Sequence, residues 1–173
     1  MKNAPLTALI LLFFCAAAPA AKAAGTTWRQ ATDAELAALL PARAQVVQER
    51  IETEMRTASG IVNSKGQFIA GVVLITAGYS ADGKYSHYLV VQAPIRAGGV
   101  LLKPGDYLLG WVRDGDALKV HFNAAATGAL LGTAEARRIH GSTRVESLHI
   151  WPPAENPIIQ IGRFAIPYTL GKQ

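Results

Sequence analysis

Two stretches of alternating apolar residues flank Asp114-Gly115, and this pairing constrains the chain more than any other feature. An Asp-Gly dipeptide accepts the positive φ angles of a two-residue hairpin turn, so residues 102–131 read as a β-hairpin with a defined register. If Arg113 faces Asp116, then Trp111 faces Leu118, Leu109 faces Val120 and Tyr107 faces Phe122. Six large side chains then share one face of the ribbon. Burial is worth about 1.5–3 kcal/mol for each large apolar side chain, so this face is expected to be a wall of the core. A slip of one residue would turn Trp111 into water.

The first 24 residues have the pattern of a secretory leader and are expected to lie outside the fold. Lys2 supplies a positive end, residues 4–18 are apolar but short for a membrane span, and small residues offer cleavage after Ala20, Ala23 or Ala24. The single cysteine, Cys15, lies inside this run behind Phe13-Phe14, whereas a lipoprotein signal wants small residues there. The mature chain is therefore expected to have no cysteine, hence no disulfide and no Cys-ligated metal, even in an oxidising compartment.

Removing 24 of 173 residues leaves 149, and the loss of Lys2 and Lys22 leaves 15 basic against 12 acidic side chains, a formal charge of +3. A chain of this length is expected to form one domain, residues 25–173, burying about 70% of its unfolded surface. The basic residues are scattered, with only Arg137-Arg138 adjacent. That distribution argues against a nucleic-acid partner but allows attraction to anionic surface polymers. No second apolar run reaches membrane-span length.

Along the chain, Thr32 and Glu35 form a capping-box pattern, and Leu36, Leu39 and Leu40 share a helical face up to Pro41. A short helix over residues 33–40 is expected to cover an open end or edge of a sheet. Residues 47–57 fit two periods: Val47, Ile51 and Met55 at helical spacing, or Ile51, Thr53, Met55 and Thr57 alternating against Arg50, Glu52, Glu54 and Arg56. The β-branched residues favour a strand with one charged face. Strands are then expected over residues 67–78, 85–92, 95–101, 129–139, 144–151 and 158–168, with Val72 to Thr76 buried on both faces. Turns are expected at Asn63 to Gly66, Ser80 to Lys84, Lys103 to Asp106 and His140 to Ser142. In residues 85–92, Tyr85, His87, Leu89 and Val91 would share one face. Some eight strands and one N-terminal helix predict a mainly β fold, an antiparallel β-sandwich in preference to a small closed β-barrel.

The pattern L-x-P-G-x-Y-x-L-x-W followed by L-x-V-x-F-x-x-A-x-T-G-x-x-L-G, residues 102–132, resembles the β-meander of small exported bacterial β-sandwich proteins, transthyretin-like modules among them. The resemblance implies a fold and a compartment, periplasmic or secreted. Such modules serve binding, adhesion or structural roles and share no catalytic residues that could be carried over.

Candidate chemistry is sparse. Gly78-Tyr79-Ser80-Ala81-Asp82 begins like a nucleophile elbow, but Asp82 stands where glycine is needed and no helix pattern follows. A turn in which Ser80 and Asp82 bond nearby amides is the plainer reading. A calcium loop at Asp82 lacks neighbouring carboxylates. His87, His121, His140 and His149 show no close metal-ligand spacing, so a shared ligand would require strands to bring two together, His121 with His149 for example. No cofactor is implied and no catalytic group is assigned. Tyr79, Ser80, Asp82, Lys84, Tyr85 and Tyr88 gather around one turn and mix aromatic faces with polar groups, as ligand sites do, while Trp151 before Pro152-Pro153 marks a second loop. These seven are the candidate ligand-binding residues.

The expected function is an exported, non-catalytic module that binds an envelope component, a polysaccharide or a protein partner. The competing expectation is a small-molecule carrier built as a β-barrel, which requires a closed sheet around an apolar cavity. A nucleophile, base and orienting group within hydrogen-bond reach would instead indicate an enzyme.

Overall fold

Alternation of apolar and polar residues sets the architecture. A computed structural model describes residues 26–141 and 144–171. The leader expected over residues 1–24, and Ser142 of the expected turn, lie outside the described residues. The elements run β1 (Trp28–Gln30), α1 (Asp33–Leu39), β2 (Arg43–Val46), β3 (Glu49–Asn63), β4 (Phe68–Leu74), β5 (His87–Val91), β6 (Ile95–Ala97) and β7 (Val100–Leu102). They continue with β8 (Gly105–Asp114), β9 (Ala117–Ala124), β10 (Leu130–Arg138), β11 (Glu146–Ile150), β12 (Ile158–Gly162) and β13 (Phe164–Leu170).

The fold is mainly β, antiparallel, with the short N-terminal helix. One sheet follows the order β1-β3-β4-β5-β8-β9-β10-β13-β12-β11 and curls into a half-barrel. The layers of a sandwich thus come from two ends of the same sheet. β11 packs across β3 and β4 and is tied to β3 by the Ile150 amide, which donates to Ser59 Oγ at 2.9 Å. Just before Ser59, β3 bulges: Glu54 pairs with Val73 and Ser59 with Gly71, so four residues oppose one. A bulge bends its strand and sharpens the twist, which suits the place where the sheet meets its own far end.

Curling gives the sheet two apolar faces. The concave face holds Ile61, Ile69, Leu89, Leu109, Val120, Phe122, Leu148, Ile150, Ile159 and Ile166, all buried. The convex face holds Val62, Ala70, Val72, Tyr88 and Leu108, covered by Leu36 and Leu40 from the helix region, by Val46 of β2 and by Tyr85. Thr32 caps α1 as a complete capping box. The β6–β7 hairpin adds Ile95, Ala97 and Leu102 to the concave cluster, near the β8 end where Gly105 lies. The opposite end of the half-barrel, where β8 reaches Trp111 and Arg113, is open.

Several sequence expectations change in detail. In the organising hairpin Asp114 pairs with Ala117 and Trp111 with Val120, so Gly115-Asp116 is the loop, and every pairing moves two residues from the predicted register. Gly115 takes the positive φ, 56°, at the first central position, and Asp116 needs none. A shift of two preserves the faces, so Tyr107, Leu109, Leu118, Val120 and Phe122 are all buried as expected; Trp111, at the open end, is 43% exposed.

The strand favoured for residues 47–57 is present from Glu49 onward as part of β3, 15 residues long, while Val47 and Gln48 form the loop that turns β2 into it. The single strand expected over residues 95–101 is a hairpin turned by Gly98-Gly99, with φ of 52° and 92°. The closing strand expected over residues 158–168 is another hairpin, with Ile161 paired to Phe164. Tyr85 precedes β5 and packs into the convex cluster, away from the His87, Leu89 and Val91 face. Strand β4 ends at Leu74, and Ile75 is exposed, so double burial does not extend to Thr76.

Candidate functional site: a cleft at the open end of the half-barrel

Strand parity positions the site. His87 pairs with Val73 and with Leu109, and Trp111 and Arg113 follow Leu109 on the same side of β8, so the concave face continues past the packed core into an open cleft. The cleft, about 640 Å³, is walled by the turn segment before β5, by β8 and by the β12–β13 hairpin, with Trp111, Arg113, Leu118, Ile161 and Phe164 among its lining. Its floor is closed: His87, Leu118 and Ile161 are all buried, and the concave core lies beneath them.

The turn segment reaches the cleft because Gly110 lets it. A Cβ on Gly110 would stand 2.1 Å from the Lys84 carbonyl oxygen. The Ser86 amide donates to the Leu109 carbonyl at 2.7 Å, fastening the segment to β8. A succession of tight bonds, Tyr79 to Thr76, Asp82 to Tyr79 and Lys84 to Ala81, folds the rest back on itself. Ser80 is exposed within these turns, with no helix after it, so the elbow geometry of a hydrolase is not built there.

Two cations line the cleft, each seated on an aromatic ring. The Arg113 guanidinium lies 5.2 Å from the Phe164 ring centre, and its Nε donates to the Gly115 carbonyl at 2.8 Å. Lys84 Nζ lies 5.2 Å from the Tyr85 ring centre. Among the described residues the ion pairs engage Arg29, Arg56, Arg137 and Arg144, and neither of these two. The carboxylate in the cleft lining, Asp82, accepts from Thr76 Oγ1 at 3.4 Å. The cleft is therefore electropositive, with a guanidinium held in place and its terminal nitrogens free of a carboxylate.

Beside them sits a part-buried serine–histidine contact. Ser86 Oγ is 2.7 Å from His87 Nδ1 and 3.1 Å from the Leu109 carbonyl oxygen. His87 Nε2 is 3.2 Å from the Ser147 carbonyl oxygen on β11. Hydrogen on Nε2, donated to the Ser147 carbonyl, leaves Nδ1 as an acceptor, so the single Ser86 hydroxyl proton is shared between Nδ1 and the Leu109 carbonyl. A nucleophile, a base and an orienting acceptor are thus within reach of one another. However, burial holds the His87 pKa below its ordinary value, against the raising effect of the Ser147 carbonyl, and the orienting group is neutral. Both oppose the imidazolium that an activated serine requires. The contact acts as a strut joining β5 to β11.

The predicted site residues divide between locations. Asp82, Lys84 and Tyr85 line the cleft. Ser80, together with Lys84 and Tyr85, also borders a smaller depression of about 230 Å³ beside Val46 to Glu49. Tyr79 packs against the convex cluster, and Tyr88 is buried within it. There, burial first and Asp106 second push the Tyr88 phenol up. Trp151 is half-buried elsewhere. Its Nε1 donates to Gln160 Oε1 at 3.1 Å, its carbonyl accepts from the Tyr168 hydroxyl, and its ring lies 4.4 Å from that of His149.

His121 and His149 stand on β9 and β11, with β10, β13 and β12 between them in the sheet, so they are not cross-strand neighbours. No helix among the described residues is long and apolar enough to cross a membrane.

Sequence reading missed Ser86, His87, Trp111, Arg113, Ser147 and Phe164 as cleft residues. One signal for them exists: Trp111 and Arg113 end the inward-facing series of β8, and an arginine there cannot be core. Comparison of the chain with protein-family models, curated protein sequences and solved structures gives no match.

Proposed function

We propose that this is an exported, non-catalytic binding module that captures a cell-envelope component, a polysaccharide or a protein partner, in the cleft at the open end of its half-barrel. The observation that carries the reading is the pair of ring-seated cations, Arg113 and Lys84, beside a half-exposed Trp111 above a closed floor. Preformed concavity, an aromatic surface and a few fixed polar groups are what ligand sites use.

The leader pattern supports export to the periplasm or beyond, and so does the resemblance of residues 102–132 to exported β-sandwich modules. The competing barrel carrier needs an internal cavity. Against it stands a concave face filled by large side chains such as Phe122, Ile61 and Leu109, each wholly buried.

Native mass spectrometry of the protein purified from its own envelope fraction tests the reading. A retained mass that is lost in the Trp111→Ala variant is expected. A retained mass indifferent to Trp111 would place binding elsewhere, and Ser86-dependent hydrolysis of nitrophenyl esters would make the module an enzyme.

A further inference from the structure

We infer that the ligand of this cleft is an acidic saccharide, with a sugar ring on Trp111 and the ring's carboxylate held by the Arg113 guanidinium. The inference rests on the binding-module reading above and specifies its ligand.

Three observations narrow the chemistry. First, the floor is closed by His87, Leu118 and Ile161, all buried, so the cleft cannot swallow a long apolar chain. A ligand lies along the wall. Second, that wall presents Trp111 at 43% exposure, a flat amphipathic surface rigid enough to receive a ring at little entropic cost. Third, the charge available to the ligand is positive. Arg113 is pinned through Nε to Gly115 and by stacking on Phe164, which leaves the fork of terminal nitrogens preorganised for a bidentate acceptor.

Trp111 and Arg113 are two positions apart on one strand face, roughly 7 Å along the strand. A ring on the first therefore carries its acidic substituent to the second. Lys84, whose Nζ lies over the Tyr85 ring, adds a second positive charge to the lining. Ser147, also in the lining, offers a hydroxyl for a sugar oxygen. Asp82 sits among them and disfavours ligands whose charge is dense or unplaced.

Calorimetry on the leader-free chain separates the possibilities with four probes. These are oligogalacturonate (ring and carboxylate), maltohexaose (ring alone), polyglutamate (carboxylate alone) and laurate (apolar chain and carboxylate). Oligogalacturonate is expected to bind best and to weaken as salt is raised. Trp111→Ala and Arg113→Gln should each weaken it at least tenfold, and Arg113→Lys, which keeps the charge but not the fork, should fall between. Near-ultraviolet circular dichroism confirms that each variant is folded.

Equal binding of maltohexaose or polyglutamate would overturn the inference, as would tighter binding of laurate. Silence from all four probes, with a Trp111-dependent mass still retained from the envelope fraction, would overturn the acidic-saccharide assignment and leave the binding module standing. A retained mass independent of Trp111 would remove both.

Discussion

Val47 carries a positive φ of 58°, a conformation that a β-branched residue adopts only under constraint. It is the first of two loop residues between Val46 and Glu49, and its amide is held by the Ala125 carbonyl at 2.8 Å. Glycine belongs at such a position. Val47→Gly should relieve strain of about 1–3 kcal/mol, lose part of that in packing against the convex cluster, and leave a net gain of about 1 kcal/mol. Thermal unfolding would register this as a midpoint higher by roughly 2–4 °C, and a lower midpoint would refute the strain account.

His87 is the other residue whose cost can be read directly. Burial lowers its pKa in the folded protein below that of the unfolded chain, so between the two values the unfolded state binds more protons. Stability is then fully present above the ordinary histidine value of about 6.5 and is lost as pH falls through the lowered folded value. His149 is shifted the same way, burial outweighing Glu146 and Glu155. Urea midpoints measured from pH 8 to pH 5 should fall, and His87→Gln should flatten the profile; an unchanged slope would mean His87 is not the titrating group.

At the scale of elements, β8 shows how one strand serves two purposes. Its inward residues Tyr107 and Leu109 build the core, then Trp111 and Arg113 build the cleft, and Gly110 between them admits the Lys84 carbonyl. Gly110→Ala would force a methyl group against that backbone oxygen, which cannot swing aside as a side chain would. A loss of about 3 kcal/mol is expected, with slower proteolysis of wild type than of the variant at residues 76–86.

Much of this was legible. Alternation around Asp114-Gly115 is a period-two signal, so the faces of β8 and β9 followed even with the loop misplaced, because a two-residue shift leaves parity intact. The helix was legible for a local reason: Thr32 and Glu35 close a capping box without help from the rest of the chain. Gly98-Gly99 and Gly162-Arg163 were harder. Each hairpin is so short that its two strands read as one apolar run.

The candidate site was half legible. Asp82, Lys84 and Tyr85 were identified as one composition cluster, but their partners Trp111, Arg113 and Phe164 come from strands remote in sequence. Trp151 and Tyr88 satisfied the same compositional rule but do not line the cleft. Residue type cannot separate an aromatic ring at the mouth of a sheet from one within it, since only its height on the strand differs.

For the whole molecule, the decisive feature is where the sheet meets itself. β11 approaches β3 without a regular ladder, and the buried bond from the Ile150 amide to Ser59 Oγ joins them, with the His87 imidazole reaching the Ser147 carbonyl nearby. Ser59→Ala would strand a buried amide at a cost of about 1–3 kcal/mol. Hydrogen exchange at Ile150 should quicken beyond the global change, and uniform quickening would show that this bond is not a local seam.

From the sequence alone came the mainly β character, the antiparallel pairing, the capped helix and the inward faces, because each depends on residues close together in the chain. Tertiary structure decided that one sheet would curl into a half-barrel, that the β6–β7 hairpin would occupy one end, and that the other end would gather Trp111, Arg113 and Lys84 in the lining of one cleft. Curvature accumulates strand by strand, and the meeting of β3 with β11 joins residues some ninety positions apart. No local pattern encodes that distance, so neither the seam nor the cleft beside it could be read before the chain was folded.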